Sequence, residues 1–332
     1  MILIDADVLG RQRTGDETYV ANLLRELPAV APDLRFVAVT RRPDLVPDGI
    51  EAIELPARLQ ETRMAISMPR LLRRVRPELA HFQHALPPRW RGKTVVTLHD
   101  LSFEDDDTTM GRVDRLVFRT VVPRAARRAG HVLTVSERTK RDIVSRYGIA
   151  GSKVTVTPNG VDPAFAPGGA HESFVLFVGA IQPRKDPLAA LAAARAVDLP
   201  LVVAGPEKDP ELVRELRAGG AELRGYVTQP ELADLYRAAA MLVLPSRFEG
   251  FGLPVLEAMA CGTPVVAADE PALREVGGEA VVYAEGGDFG AAARRALDGR
   301  DARSAAGIER AKLFSWAETA RRTAEVYRQV LA

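Results

Sequence analysis

Two glutamates eight positions apart, Glu249 and Glu257, bracket the segment GFGLPVL, residues 250–256. Just before them the apolar run AMLVLP, residues 240–245, reads as a buried parallel strand. Pro254 suits the first turn of a helix, where a missing N–H costs nothing, and Gly262 suits the position just past its end. The pattern predicts strand, glycine loop and short helix. Such a helix start offers free backbone N–H groups and a partial positive charge, which suit a phosphate. Glu249 falls in the loop, at the level of a bound ligand. Glu257 is expected in the first helical turn, where a carboxylate can accept hydrogen bonds from two ribose hydroxyls. Taken singly, each has a plainer reading, Glu257 as a complement to the helix dipole and Glu249 as a solvated loop residue.

Other residues with chemical potential also fall at the ends of strand-like runs. His99 closes KTVVTLH, residues 93–99, and is followed by Asp100. A lone histidine is more often a hydrogen-bonded structural residue, so position decides here. His81 and His84, in and after ELAHFQ (78–83), are expected at the mouth of a cleft, facing a hydroxyl-bearing ligand. Gly15 lies in RTGDETY (13–19), between the first strand and first helix, where glycine permits close backbone approach to a phosphate. Asp16 and Glu17 beside it either cap that helix or face a hydroxyl-bearing ligand. Arg184 and Lys185, in GAIQPRKD (179–186), follow the run FVLFV and could neutralise a phosphate; a solvated basic turn is the plainer alternative. Val227 ends AELRGYV (221–227), and NGVD (159–162) reads equally well as an ordinary turn.

Positioning these residues requires strands that all end on one side. Strand-like runs alternate with amphipathic stretches throughout, the pattern of parallel α/β domains. The first series is ILIDA, RFVAVT, EAIELP, ELAHFQ, KTVVTLH, HVLTVS and KVTVTP, with helical stretches at 16–27, 66–75 and 138–147, the last closed by Gly148. Residues 159–173, rich in Gly and Pro, read as a connector. A second series follows: FVLFVG, LPLVVAG, AELRGYV, MLVLP, TPVVAA and AVVYA. The expected fold is two doubly wound, Rossmann-like α/β domains facing across a cleft, spanning 1–162 and 172–313. In such sheets ligands bind outside the carboxyl ends of the strands.

The chain has 332 residues, 47% apolar, enough for two ordinary cores. It has no apolar run of 18 residues, and MILIDADVL reads as a first strand rather than a leader. A single cysteine, Cys261, excludes a disulfide framework, fits a reducing cytoplasm, and reads as a small core residue. Five scattered histidines predict no metal cluster. Residues 1–165 carry 26 Lys and Arg against 21 Asp and Glu, a net +5, and the remainder 19 against 23, a net −4. That is far from the excess expected of a nucleic-acid binder. Arg70, Arg73, Arg74 and Arg76 could meet membrane headgroups, although a solvated helix face is the commoner explanation.

Glu249 to Glu257 with FGLP between them resembles the E-x7-E signature of retaining glycosyltransferases of family 4, enzymes of the two-domain GT-B fold. His99-Asp100 resembles that family's HD motif, Gly15 its first glycine loop, and Lys185 its phosphate-clamping lysine. The arginine often found directly after the family's glycine is Ala180 here, so Arg184 is expected to supply the second charge from another position. Residues 159–162 resemble the family's hinge-side NGVD loop. The resemblance implies catalytic roles for His99, Lys185 and Glu249. It implies donor contacts from Gly15, Arg184, Lys185, Val227, Glu249, Phe251, Gly252, Leu253 and Glu257. Asp16, His81, His84 and Asp100 are the acceptor-side candidates. A last helix over 314–331 is expected to pack back on the first domain.

The implied activity is transfer of a hexose from a nucleotide-diphosphate sugar, GDP-mannose or UDP-glucose, to a hydroxyl acceptor. The acceptor is a saccharide, a lipid-linked glycan or a small molecule, and no cofactor or metal is implied. The mannosyltransferase resemblance rests on the HDL and QPRKD variants. The expected location is the cytoplasm, with the basic run as the candidate contact to the inner membrane face; oligomeric state is left open. A phosphorylase or sugar-nucleotide hydrolase would share the fold, and a non-catalytic nucleotide-sugar binder is a more distant alternative. A nicotinamide oxidoreductase is disfavoured, since no strand is followed by G-x-G-x-x-G.

Overall fold

The computed structural model describes residues 1–11, 14–57, 59–105, 111–169 and 173–332. They form two compact units. The first comprises residues 1–104, 112–160 and 316–332, and the second 105–111 and 161–315.

In the first unit every apolar run of the first series becomes a strand. These are β1 (Ile2–Asp5), β2 (Phe36–Thr40), β3 (Glu51–Glu54), β4 (Leu79–Gln83), β5 (Lys93–Leu98), β6 (His131–Thr134) and β7 (Val154–Val156). All pair in parallel, in the order β3-β2-β1-β4-β5-β6-β7. Leu3, Ile4, Val37, Val39, Val95, Val96 and Leu133 are buried, because crossover helices cover both faces of such a sheet. The strand order reverses between β1 and β4, and that switch point opens a crevice at the carboxyl ends.

The helix Glu137–Tyr147 shows how the local sequence sets its limits. Ser136 Oγ accepts from the Thr139 N–H at 3.1 Å, and Gly148, at φ 62°, donates its N–H to Val144 O at 3.1 Å. The helix Met68–Val75 buries Met68, Leu71 and Leu72 and turns Arg70, Arg73 and Arg74 outward, with exposed Arg76 following it. A π-turn at Arg63–Ser67 precedes it. The last helix, Trp316–Leu331, belongs to the first unit. Trp316, Ala320, Ala324 and Tyr327 are buried, Thr319 Oγ1 donates to Pro158 O at 2.5 Å, and Arg328 holds Asp33 with both ends of its guanidinium.

The second unit repeats the plan with β8 (Val175–Val178), β9 (Leu201–Ala204), β10 (Glu222–Gly225), β11 (Met241–Leu244), β12 (Val265–Ala268) and β13 (Val282–Ala284). The order is β10-β9-β8-β11-β12-β13, again parallel, with its switch point between β8 and β11. Its core joins Val175, Phe177, Val203, Met241 and Val243 to the alanine faces of helices Pro187–Ala196 and Phe289–Asp298. Among the described residues no helix is long and apolar enough to cross a membrane.

Candidate active site

In the second unit two loops flank the switch point. The loop after β8 turns through Gly179 into a 3-10 turn at Pro183–Lys185, and the loop after β11 carries Ser246 to Gly252. Gly205, at φ 148°, lets the backbone after β9 lie against the first loop, since a Cβ there would stand 2.1 Å from Gly179 O. The two switch-point loops are fastened to each other. The Arg247 N–H donates to Arg184 O at 3.0 Å, the Arg184 guanidinium donates to Phe248 O, and Arg247 pairs with Asp186 at 3.0 Å. Lys185 Nζ is ion-paired to Glu249 Oε1, and Glu249 is buried. Arg184 Nε is itself buried without a described partner.

The helix after β11 starts at Leu253, following Gly252 at φ 105°, where a Cβ would meet Leu273 Cδ2 at 2.6 Å. Glu257 is its fifth residue, so it lies in the second turn and not the first, as expected from sequence. Its distance from the helix start removes the dipole explanation, which fades beyond one turn. Glu257 is buried, and Oε2 accepts from the Tyr236 hydroxyl at 2.9 Å. Burial pushes its carboxyl up to about 7, with Asp162 adding to the rise and Tyr236 opposing it. Phe251 is buried edge-on against Phe314, their ring centres 5.9 Å apart. Val227, half-buried, follows the edge strand β10. Cys261 is buried and its thiol is pushed up to about 12, which makes it an inert core residue.

In the first unit His99 follows β5 and is buried, with Nε2 3.0 Å from Gln83 Oε1 and the Tyr19 ring edge-on at 4.7 Å. Burial lowers its pKa to about 4, so the imidazole is neutral at neutral pH. Gly15 and Asp16 lie in the first turn of helix Thr14–Val30; Arg13, which opens the sequence motif, lies outside the described residues. The carboxylate pair divides its work. Glu17 Oε1 accepts the Gly10 N–H at 2.6 Å, while Asp16 Oδ2 lies 3.2 Å from His84 Nε2 and Asp16 Oδ1 4.0 Å from His99 Nε2. Asp16, His84 and His99 thus converge from three separate strand and helix ends, their polar atoms within 4.8 Å of one another. Asp100 turns to Ser102, accepting its N–H at 2.9 Å and its hydroxyl at 2.8 Å, which fixes the loop behind His99.

His81 does not belong to this group. It sits inside β4 with no exposed surface, Nδ1 2.6 Å from the Tyr327 hydroxyl and Nε2 2.7 Å from Thr97 Oγ1. Burial lowers its pKa to about 3. His81 lies within β4 and both of its ring nitrogens are engaged, so it anchors the terminal helix rather than facing a ligand.

Sequence reasoning missed Tyr236, Gln83 and a buried charge network at the end of β1. Arg63, fully buried, donates to Asp5 at 2.6 and 3.1 Å and reaches Asp7 at 3.3 Å, while Arg41 grips Asp7 at 2.8 and 2.9 Å. The one available signal was two aspartates in the otherwise apolar ILIDAD.

The profile of a family described as Glycosyltransferase Family 4 matches residues 13–165, and one described as Glycosyl transferases group 1 matches 172–298. A D-inositol 3-phosphate glycosyltransferase of Kribbella flavida is 31% identical, over 99% of this chain and 94% of its own length. An O-antigen chain mannosyltransferase B of Escherichia coli is 28% identical, over 89% and 83% respectively. In structure the chain is similar to Anabaena HepE, solved in complex with UDP and glucose, with a TM-score of 0.73 at 16% identity, over 99% of both chains.

Proposed function

Since the chain belongs to glycosyltransferase family 4, the group 1 glycosyl transferases, we propose that it moves a hexose from a nucleotide-diphosphate sugar to a hydroxyl acceptor, with retention at the anomeric carbon. That it is a glycosyltransferase of GT-B fold is the premise; donor, stereochemistry and residue roles are the reading. The observation that carries the reading is the Lys185–Glu249 pair, set between two fastened loops at the switch point of the second sheet.

A diphosphate entering there competes with Glu249 for the Lys185 ammonium, and the displaced carboxylate is then available to sugar hydroxyls. The acceptor oxygen attacks the anomeric carbon on the face that the diphosphate leaves. The old carbon–oxygen bond breaks as the new one forms, and the acceptor proton passes to the departing phosphate oxygen. Lys185 and, beside it, Arg184 stabilise the charge that grows on that phosphate. Glu257 holds the ribose, while backbone groups of Val227, Phe251, Gly252 and Leu253 and the glycine loop at Gly15 complete the donor contacts. His99 orients the sugar, and Asp16 and His84 face the acceptor. In this reading cationic side chains and a helix start carry the phosphate charge, so the transfer itself needs no metal.

The relatives support a hexose donor: one is named a mannosyltransferase, and HepE was solved with UDP and glucose. GDP-mannose and UDP-glucose are accordingly the first donors to try. The exposed Arg70, Arg73, Arg74 and Arg76 support contact with anionic headgroups when the acceptor is lipid-linked. A thermal-shift panel of UDP, GDP and ADP identifies the base, since a ligand at 100 times its Kd stabilises by about 2.7 kcal/mol. Proton NMR of the product formed from the matching sugar nucleotide then reads the anomeric configuration. An inverted product overturns the mechanism. Equal turnover with and without a carbohydrate or lipid acceptor favours a hydrolase or phosphorylase instead.

A further inference from the structure

We propose that Gln83 is a positioning residue for His99: its side-chain carbonyl holds the imidazole in the Nε2-protonated tautomer and leaves Nδ1 as a hydrogen-bond acceptor. Gln83 is the last residue of β4 and pairs with Thr97 of β5, and His99 stands two residues beyond Thr97. Side chains alternate across a sheet, so those of Gln83 and His99 project to the same side. The same diagonal step joins His81 to Thr97, at 2.7 Å between Nε2 and Oγ1, and Gln83 to His99, at 3.0 Å between Oε1 and Nε2. The Tyr19 ring stands edge-on to His99, its centre 4.7 Å away at an interplanar angle of 79°. Tyr19 thus limits the tilt of the imidazole, and the Gln83 bond settles which ring nitrogen points to β4.

The surroundings decide where the proton sits. Nε2 faces two oxygens, Gln83 Oε1 at 3.0 Å and Asp16 Oδ1 at 4.0 Å, and a lone pair there would be set against a carboxylate. A neutral imidazole has one donor and one acceptor nitrogen, so the bond made by one fixes the role of the other. Turning the Gln83 amide over would aim its NH2 at Nε2 and demand that disfavoured lone pair. With the carbonyl toward His99, Gln83 Nε2 is shut off from water without a partner among the described residues, so the amide is oriented by the histidine and not by its own nitrogen. The titratable groups around the ring are Asp16 of the first helix, His84 just past β4, His81 within β4 and Asp100 beside it. Burial outweighs the two carboxylates and keeps the ring neutral, so the division into donor and acceptor persists at neutral pH. The inference rests on the reading that His99 orients the transferred sugar. In that reading Nδ1 accepts a hydrogen bond from a sugar hydroxyl.

Nitrogen-15 NMR of the labelled full chain reads the tautomer without any substrate. The chain has five histidines, and the His99 signals are identified by their loss in His99→Ala. At about pH 7 the parent is expected to show His99 neutral and protonated at Nε2. Gln83→Glu sets a carboxylate against that proton and should raise the His99 pKa toward neutrality. Below the raised pKa Nδ1 carries a proton and cannot accept. Transfer from UDP-glucose or GDP-mannose, whichever turns over, should then gain an acid limb that the parent profile lacks, with recovery at higher pH. Gln83→Leu, which removes the acceptor, should lower kcat about 5-fold, the worth of one neutral hydrogen bond, and leave the Kd of the matching diphosphate unchanged. Gln83→Glu, nearly isosteric, keeps the test decisive if the leucine variant unfolds. A parent His99 protonated at Nδ1, or a Gln83→Glu protein whose His99 titrates where the parent's does, overturns the positioning role. The expected spectra with transfer indifferent to both variants would leave the tautomer standing and overturn instead the part given to His99 in transfer.

Discussion

The Tyr236 hydroxyl donates to Glu257 Oε2 at 2.9 Å, so the helix Gln229–Ala238 aims the carboxylate of the helix that follows β11. Thr263 Oγ1 in turn donates to Tyr236 O at 2.5 Å, which holds the tyrosine in place. A carboxylate restrained in this way meets a ribose without first losing side-chain freedom. Glu257→Ala should therefore weaken the free nucleoside diphosphate as well as the sugar nucleotide, by roughly 1.5–3 kcal/mol for charge-assisted hydrogen bonds. Tyr236→Phe, which keeps the carboxylate but frees it, should show a smaller loss. Unchanged calorimetric affinity in a folded Glu257→Ala protein would remove Glu257 from the donor site.

Glu257 also makes stability depend on pH. Its pKa is raised from 4.5 to about 7 by burial, so between those values the folded protein keeps a proton that the unfolded chain has released. This contribution is fully present below the unfolded pKa and is lost as pH rises through about 7. Glu257→Gln should remove the slope. It should melt above the parent at about pH 8.5 and close to it at about pH 5, with a ceiling of about 3 kcal/mol. Parallel melting curves for the two proteins across that range would contradict a protonated, buried Glu257.

Lys185 should matter more as the phosphate departs than while the donor is merely bound. Lys185→Ala is expected to lower kcat, not only to raise KM. Glu249→Gln removes the competitor for the ammonium, so it should hold the free diphosphate at least as tightly as the parent while transferring sugar more slowly. A Lys185→Ala enzyme with parental kcat at saturating donor leaves the lysine as a binding residue only.

His99 belongs to the first unit and the diphosphate clamp to the second. His99→Ala should leave diphosphate affinity nearly intact and reduce transfer sharply, because a misplaced sugar forfeits the benefit of orientation. Both quantities can be read on one preparation whose fold is confirmed by circular dichroism. Transfer at the parental rate would make the His-Asp pair purely structural.

His81 gives the opposite pattern. His81→Ala opens a cavity and strands the Tyr327 and Thr97 hydroxyls, which should cost about 2–4 kcal/mol of stability. Tyr327→Phe should cost less, about 1 kcal/mol. Donor KM should stay parental in His81→Ala wherever the protein is folded, and a selective rise in KM without destabilisation would return His81 to the ligand site.

The strand-like runs located the thirteen strands of the described residues. The inner ones were legible because a parallel strand covered on both faces must be nearly continuous in Val, Ile, Leu and Ala, while the edge strands β3 and β10 are half-exposed and mixed in composition. The capping residues around Glu137–Tyr147 and the Lys185, Glu249 and Glu257 motif were equally visible, being local patterns of residue type. Burial and partnership were not. His81 and His99 both belong to strand-like runs, yet His81 lies within β4 with its ring sealed in, while His99 follows the carboxyl end of β5. Glu257 looked like a first-turn residue because Pro254 marks the helix start only to within a position or two, and its partner Tyr236 lies on another helix. The Lys185–Glu249 pair and the convergence of Asp16, His84 and His99 join segments far apart in the chain. Such pairings depend on which loops the strand order brings side by side, and no single segment encodes that order.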